Sequence, residues 1–327
     1  MNEAECLRSG LLGGRQGESV TGVRGTHQAP SRDAPQVRGG RIAGRWRHLW
    51  KVLRRDRLAV AGGAVVVAFV LAGLLAPALA PHNPNAVNLG MILQTPTLGY
   101  WLGTDNHGRD ILSRILFGAR LSLLVGTGAV GLGLVAGVLA GLLAGYYDRL
   151  QGPLMRLMDV LLAFPGIVVA LTIVAILGPG EQNVILAVGI SQIPQFARIV
   201  NGMVLTIRED AYVEAARAIG ASDPAILGRH IFPNTVAPLI VQASLLIPAA
   251  ILTASSLSFL GAGIQPPTAE WGAMLSDSRR WMQVAPHLMI FPGIALMLVV
   301  LGFNVFGDGL RDALDPRLRG SSASAER

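Results

Sequence analysis

Residues 121–145 read LSLLVGTGAVGLGLVAGVLAGLLAG, a stretch that contains no charged side chain. As an α-helix it extends about 37 Å, which exceeds the roughly 30 Å thickness of a bilayer's hydrocarbon layer. A helix also satisfies its backbone hydrogen bonds internally, as lipid requires. The stretch therefore predicts a transmembrane helix.

The rest of the chain has the same character. Of its 327 residues 51% are hydrophobic and only 14% are charged, and 40 are glycine. A soluble domain carries about a quarter charged residues, so the composition excludes an ordinary soluble enzyme. Small residues favour close packing of helices in lipid. Because Cys6 is the only cysteine, neither an intrachain disulfide nor a cysteine metal cluster can form.

Five further apolar stretches have the length of a membrane span, which makes six in total. They are 58–80, 154–177, 184–207, 236–261 and 287–306. A secretory leader that ends at Ala80 is disfavoured, because 57 residues precede the first apolar stretch. The predicted organisation is a disordered cytoplasmic tail (1–44), an anchor with the first helix (45–80), an extracytoplasmic segment (81–120), a five-helix core (121–309) that includes a loop at 208–233, and a cytoplasmic tail (310–327).

The basic residues are unevenly placed, and they predict the orientation. Twelve of the 27 precede residue 58, directly before the first span, where retention on the cytoplasmic side explains them better than nucleic-acid binding does. With the amino terminus inside, 22 basic residues fall on the cytoplasmic side and five on the outer side. We therefore expect both termini to be cytoplasmic.

The connection at 208–224 is longer than a turn requires, and it predicts two short helices. Asp210 is placed to cap the first helix and Gly220 to end it in a left-handed conformation, while Asp223 is placed to cap the second helix at 224–230. The first helix has apolar positions at helical spacing: Ala211, Ala215, Ala218 and Ile219. Such a helix either docks into a groove of another protein or lies on the membrane surface.

These residues resemble the EAA loop of ATP-binding-cassette importer permeases, in which a short helix couples the membrane subunit to its ATPase. The resemblance rests on Glu214-Ala215-Ala216, on Gly220 and on Phe232-Pro233. His230 and Phe232 depart from the usual isoleucine and leucine. By this resemblance the coupling residues are Glu214, Ala215, Ala216, Arg217 and Gly220.

Further segments resemble the C-type permease of the dipeptide, oligopeptide and nickel branch of that family. They are LGTD (102–105), GRD (108–110), LSR (112–114), GARLS (118–122), LSFLG (257–261), PP (266–267), WG (271–272), ML (274–275), FN (303–304) and GDGLRDALDP (307–316). The resemblance covers about residues 46–319 and implies an all-α integral membrane protein of type I importer architecture. It implies as partners a homologous second permease, two ATPase subunits and an extracytoplasmic substrate-binding protein, with a dipeptide, oligopeptide, nickel or glutathione as cargo.

Polar residues inside the predicted spans are candidates for the translocation path. They are Gln192 and Gln195 in the fourth span, and Gln242, Ser255 and Ser256 in the fifth. Uncharged polar groups suit a peptide backbone that must pass without tight binding. Their alternative role is hydrogen bonding between helices.

Two charged clusters have both a structural and a functional interpretation. Asp105, His107 and Asp110 could hold a divalent metal, but loop capping and an ion pair with Arg109 or Arg114 are preferred. Arg156 and Asp159, three residues apart, are predicted to pair on one helix face, with contact to the ATPase as the alternative. We expect no resident metal or cofactor in this chain.

The chain carries no phosphate-binding loop, since its only lysine, Lys51, follows Trp50. Hydrolysis of ATP is thus expected on partner subunits. The main alternative from another class is a secondary carrier that acts alone. It would need inverted repeats and an intramembrane charged residue, and the inner predicted spans are expected to hold no charge away from their ends. A membrane-anchored scaffold is disfavoured by the docking loop.

Overall fold

The computed structural model describes Arg54 and residues 56–314. Within them the chain is helical, and its one β-like feature is an isolated bridge between Thr104 and Asp110. The helices are α1 (Arg57–Leu74), α2 (Ala76–Leu79), α3 (Ile111–Tyr146), α4 (Asp148–Leu162), α5 (Gly166–Leu177), α6 (Glu181–Ile207), α7 (Ala211–Ala218), α8 (Asp223–Ile226), α9 (Phe232–Phe259), α10 (Trp271–Ser278) and α11 (His287–Leu314). The predicted tail at 1–44 lies outside the described residues.

Five of these helices are long and apolar enough to cross a membrane: α1, α3, α6, α11 and the run from α8 through α9. The predicted third span is broken, because α4 and α5 are bent by 91° with respect to each other. The break falls at Pro165, which disfavours helical backbone at Phe164 and occupies the N-cap position of α5. With 12 residues, α5 extends only about 18 Å and does not span lipid alone. The six predicted spans are thus five continuous ones and one bent pair.

Helices α3 and α11 extend well beyond their predicted bounds. Helix α3 begins at Ile111 rather than at 121, because the Asp110 carboxylate accepts a hydrogen bond from the backbone N–H of Ser113 at 3.0 Å and caps the helix. The last ten residues of the predicted extracytoplasmic segment are therefore helical. Helix α11 continues to Leu314, beyond the predicted end of the span at 306.

A ladder of glycines joins α3 to α6 and forms the centre of the bundle. The four glycines repeat at four-residue spacing and so occupy one face of α3: Gly133, Gly137, Gly141 and Gly145. A methyl group on Gly137 would lie 2.5 Å from Cβ of Phe196 and 2.7 Å from the carbonyl oxygen of Ile193, distances that side chains do not adopt. The small residues of the sequence thus serve the close helix packing that composition predicts.

A second core lies where α10 inserts beside α1 and α3. Trp271 is fully buried, and its indole N–H donates to the carbonyl oxygen of Ile115 at 3.2 Å. The ring of Phe69 from α1 packs edge-on against the Trp271 ring at 5.7 Å. A methyl group on Gly118 would lie 2.9 Å from that indole, so glycine is required there. Helices α7 and α10 mark opposite ends of the bundle, since α9 runs from one to the other.

Candidate functional site

Helix α7, the predicted coupling helix, is attached to the bundle by one face. Val213 and Ala216 are buried at 0% and 6% exposure, among Val204, Ile226 and Ile231. The predicted apolar stripe on its other side is exposed together with Glu214 and Arg217: Ala211, Ala215, Ala218 and Ile219. Ile219 alone is 86% exposed. Of the five predicted coupling residues, Ala216 therefore packs inward and four face outward.

The carboxyl end of α7 has the geometry that the sequence predicts. Gly220 has φ +84°, in the left-handed region that favours glycine. Its N–H donates to the carbonyl oxygen of Arg217, and the N–H of Ala221 donates to that of Ala216, both at 3.0 Å. This pair of bonds is a Schellman motif, which satisfies the final carbonyls of the helix.

The two predicted aspartate caps in this loop have different outcomes. Asp210 holds the N-cap position of α7, but its side chain makes no capping hydrogen bond. Asp223 is the first residue of α8 rather than its cap, and α8 ends at Ile226, where a π-helical turn (Leu227–Ile231) replaces the predicted helical continuation. The Asp223 carboxylate instead accepts a hydrogen bond from the hydroxyl of Tyr146 at 2.7 Å.

Tyr146, the last residue of α3, is a site residue that sequence analysis missed. The guanidinium carbon of Arg217 lies 5.9 Å from the centre of its ring, in a cation–π arrangement. Tyr146 thereby connects α3 to α7 through Arg217 and to α8 through Asp223. These three side chains line an open cavity of about 710 Å³ beside α7, together with Tyr147, Asp148, Arg149 and Leu150.

Of the two departures from the usual family pattern, His230 lies beside α7. The carbonyl oxygen of His230 accepts a hydrogen bond from the Asn234 amide at 2.6 Å, and the same amide donates to the Tyr212 hydroxyl at 3.2 Å. The rings of Tyr212 and His230 lie 6.3 Å apart. Phe232 is 39% exposed and lines a groove between α3 and α9. His230 thus belongs to the local packing at the base of α7, whereas Phe232 belongs to the groove.

The candidate path residues do not form one cluster. On α6, Gln192 is 5% exposed with an unpartnered Oε1, whereas Gln195 is exposed. On α9, Gln242 is half-buried. Ser255 donates a hydrogen bond to Oε1 of Glu270 at 3.1 Å, and Ser256 donates to the carbonyl oxygen of Leu252 at 2.7 Å. Both serine hydroxyls thus have partners inside the chain, and Gln195 is the most accessible of the glutamines.

The predicted pair of Arg156 and Asp159 is wrong. Asp159 lies 2.5 Å from the guanidinium of Arg198 on α6, and both side chains are 59% exposed. A second ion pair joins the same two helices, between Asp148 and Arg208 at 2.7 Å. Arg198 lies four residues beyond the middle of α6, so the expectation of no charge away from the ends of the spans is also wrong.

At the other end of the bundle, the aspartates near α3 have the structural roles preferred over metal binding. The Asp105 carboxylate lies 2.5 Å from Nε of Arg109 and 3.6 Å from Nε of Arg114. Asp110 caps α3 and accepts a second hydrogen bond from the Ser113 hydroxyl at 2.6 Å. Buried Arg114 also donates to the carbonyl oxygens of Pro84 and Pro267, which fastens loop 80–110 to the segment before α10.

Glu270 is a buried carboxylate that sequence analysis did not single out. It is 2% exposed and accepts hydrogen bonds from the backbone N–H groups of Gly272 at 2.9 Å and Ala273 at 2.8 Å, which caps α10. Desolvation by burial raises the pKa of this carboxyl, and the hydrogen bonds oppose the shift. The only sequence signal was a carboxylate directly before the Trp271-Gly272 pair.

Comparison with known proteins places this architecture in a family. Residues 133–320 match the family described as binding-protein-dependent transport system inner membrane component, and residues 44–96 match the N-terminal transmembrane domain of oligopeptide transport permease C. The chain also resembles a solved structure of the MetNI methionine ABC transporter in an inward-facing conformation. That likeness has a TM-score of 0.51 at 18% identity and covers 62% of this chain and 96% of the other, and it supports the fold alone.

Curated relatives are more similar in sequence. The dipeptide transport system permease protein DppC of Alkalihalophilus pseudofirmus is 48% identical over 275 residues, covering 84% of this chain and 90% of that protein. The glutathione transport system permease protein GsiD of Pectobacterium atrosepticum is 47% identical over 290 residues, covering 87% and 95%. The chain therefore belongs to the family of binding-protein-dependent transport system inner membrane components, as a membrane-spanning permease subunit of the C type.

Proposed function

We propose that this chain is one of two permease subunits of an ATP-driven importer that carries small peptides across the bacterial cytoplasmic membrane by alternating access. The similar DppC and GsiD proteins are named for dipeptide and glutathione transport, and glutathione is itself a tripeptide. The proposed cargo is therefore a peptide of two or three residues. A homologous permease completes the pore, and an extracytoplasmic binding protein delivers the cargo.

The exposed side of α7 is the observation that carries this proposal. An apolar stripe that ends in Ile219 at 86% exposure is costly at a water-facing surface, and it suits the groove of a partner protein. Glu214 and Arg217 beside the stripe give the surface polar contacts of both signs. The partner is the ATPase subunit, one copy for each permease, and it supplies the hydrolysis of ATP that this chain does not perform.

The position of α7 also supports the proposed orientation. ATP is present in the cytoplasm, so the α7 end of the bundle is cytoplasmic. Arg149, Arg208 and Arg229 cluster near that end, in agreement with the excess of basic residues in cytoplasmic segments. Loop 80–110 and α10 then lie outside, where the binding protein docks. With the bent pair α4 and α5 counted as one span, both termini are cytoplasmic.

Uptake measurements test this proposal. Cells with the intact gene should take up labelled di- and tripeptides only while ATP is available, and deletion of the gene should abolish this uptake. Nickel uptake serves as the control for cargo class. If deletion lowered nickel uptake and left peptide uptake unchanged, the peptide cargo would be wrong. If peptide uptake continued after ATP depletion, a secondary carrier would replace the proposed importer.

The docking surface has its own test. Glu214→Ala should keep the chain in the membrane at normal levels and lower peptide uptake strongly, since Glu214 is exposed and has no packing role in the bundle. Glu209→Ala is the matched control, because Glu209 is an exposed glutamate in the turn before α7. Full uptake by Glu214→Ala at normal membrane levels would contradict the assignment of α7 as the coupling helix.

A further inference from the structure

The exposed residues of α6 differ from those of the other spans. From Ala187 to Ile207, in the part of α6 that the structure describes, every exposed residue is polar or glycine: Gln195, Arg198, Gly202 and Thr206. They are spaced by three or four residues and so form one stripe. In contrast, every exposed residue from 58 to 74 of α1 and from 290 to 301 of α11 is hydrophobic, as lipid contact requires. We call these four residues of α6 the polar stripe.

The polar stripe lies deep in the bundle. Gln195 is one residue from the middle of α6, and Arg198 lies about 6 Å from the middle along the axis. A charge near the centre of a bilayer costs about 2.5–3.5 kcal/mol when it faces lipid. The stripe therefore faces either water or another protein chain.

The pairing of Arg198 with Asp159 places both signs of charge at this depth. The two side chains are in contact at 2.5 Å, and each remains 59% exposed, so solvent or a passing molecule can reach both. In the ion pair at the end of α6 only the carboxylate is open to solvent, since Asp148 is 78% exposed and Arg208 is 23% exposed. The exposed pair offers a guanidinium to a carboxylate and a carboxylate to an ammonium group.

We propose that Arg198 and Asp159, with Gln195 beside them, form a membrane-embedded subsite for the charged groups of zwitterionic peptides, with Arg198 receiving carboxylates and Asp159 receiving ammonium groups. This inference rests on the proposed peptide-import function and deepens it. An extended dipeptide is about 7 Å long, whereas the two charges of the pair touch, so the subsite holds one terminus at a time. Such weak and successive contacts suit a path that must release its cargo.

Single-charge variants test the subsite through peptide charge. Arg198→Gln leaves the Asp159 carboxylate alone, which should lower uptake of a Glu-containing tripeptide relative to a Lys-containing one by about threefold, the size of an exposed charge interaction. Asp159→Asn should shift the ratio about threefold in the opposite direction. The double variant carries neither charge and should return the ratio to that of the unmodified protein.

The ion pair between Asp148 and Arg208 is the matched control. It joins the same helices with the same residue types, so Asp148→Asn and Arg208→Gln should leave the charge preference unchanged. A loss of uptake that is equal for both peptides in the Arg198 and Asp159 variants would show that the pair only fastens α4 to α6, and would overturn the proposal.

Thiol labelling tests the water contact without any transport. Cys6→Ser removes the only cysteine, and Gln195→Cys in that background should react with a charged methanethiosulfonate reagent in the assembled transporter. Leu301→Cys is the control, since Leu301 is 54% exposed among apolar residues at the middle of α11 and should not react. An unreactive Gln195→Cys would place the polar stripe against another chain and overturn the subsite. A reactive Gln195→Cys in a transporter without peptide uptake would keep the aqueous path but overturn the proposed cargo.

Discussion

The hydroxyl of Tyr146 at the end of α3 donates a 2.7 Å hydrogen bond to the carboxylate of Asp223 at the start of α8. This bond spans 77 positions of sequence and closes a loop that holds α7 between two elements of the bundle. The Tyr146 ring also lies under the guanidinium of Arg217 on α7. If the proposed ATPase docks at α7, its motion can therefore reach α3 through a direct contact.

We expect Tyr146→Phe to weaken the coupling between ATP hydrolysis and transport. The change keeps the ring below Arg217 and removes only the hydroxyl, whose bond to a carboxylate contributes about 1 kcal/mol at this exposed position. The number of peptides transported per ATP hydrolysed should fall by about twofold or more in proteoliposomes that contain the whole complex. Tyr100→Phe is the control, because Tyr100 lies in loop 80–110 at the other end of the bundle and contacts His82 through its ring. An unchanged ratio in Tyr146→Phe would show that this bond does not transmit the motion.

The glycine ladder gives a prediction about stability. Gly137→Ala places a methyl group 2.5 Å from Cβ of Phe196, and overpacking of this kind costs about 1–3 kcal/mol. The purified protein should therefore unfold at a temperature several degrees lower. Gly131→Ala on the same helix is the matched control, since nothing lies within 4 Å of the added methyl group and alanine favours helix. Equal melting temperatures for the two variants would contradict the close approach of α3 and α6.

The parts of the fold that depend on local sequence were predictable. The helix end at Gly220 could be predicted because a short helix often ends in a left-handed residue, for which glycine is suited. The Schellman motif at Gly220 confirms this prediction. The close approach of helices followed from the small residues in 121–145. The break between α4 and α5 also had a local signal in Pro165, but the hydropathy of 154–177 remains high across it, which led to the prediction of one span.

The long-range pairs were not predictable from sequence spacing. Arg156 was predicted to pair with Asp159 because it lies three residues away. The actual partner of Asp159 is Arg198, which lies 39 residues away on another helix. Likewise, the contact between Ser255 and Glu270 exists only because α10 folds back against α9. Sequence therefore identified the uncharged polar residues of the spans, but helix packing decides which of them are partnered and which, like Gln195, remain accessible.

Gly220 provides a test of the cap that ends α7. Gly220→Ala forces a side chain into φ +84°, which costs about 1–2 kcal/mol although the space around it is open. The docking surface should tilt or fray, and peptide uptake should fall severalfold while the bundle keeps its melting temperature. Gly228→Ala serves as the control because Gly228 is equally uncrowded and has no left-handed backbone. Gly220→Asn should be intermediate, since asparagine tolerates this conformation. Equal uptake in all three variants would be inconsistent with a role for this cap in coupling.

Glu270 makes stability depend on pH. Burial raises the pKa of its carboxyl in the folded protein above the ordinary value, so the folded state binds more protons than the unfolded state between those two pKa values. The stabilising contribution of Glu270 is thus complete below the pKa that its carboxyl has in the unfolded protein. It is lost as the pH rises through the higher pKa of the folded protein. Glu270→Gln removes the titration, and its melting temperature relative to the unmodified protein should rise from pH 5 to pH 8.

The control for this pH effect is Glu209→Gln, which removes an exposed carboxylate and should leave the pH dependence of the melting temperature nearly as it was. Glutamine retains one carbonyl acceptor for the N–H groups that open α10, as the protonated carboxyl does, so the melting temperatures of Glu270→Gln and the unmodified protein should differ least at acidic pH. If the melting temperatures of Glu270→Gln and the unmodified protein differed by the same amount from pH 5 to pH 8, the carboxyl would stay ionised throughout. The capping N–H groups would then outweigh the effect of burial on its pKa.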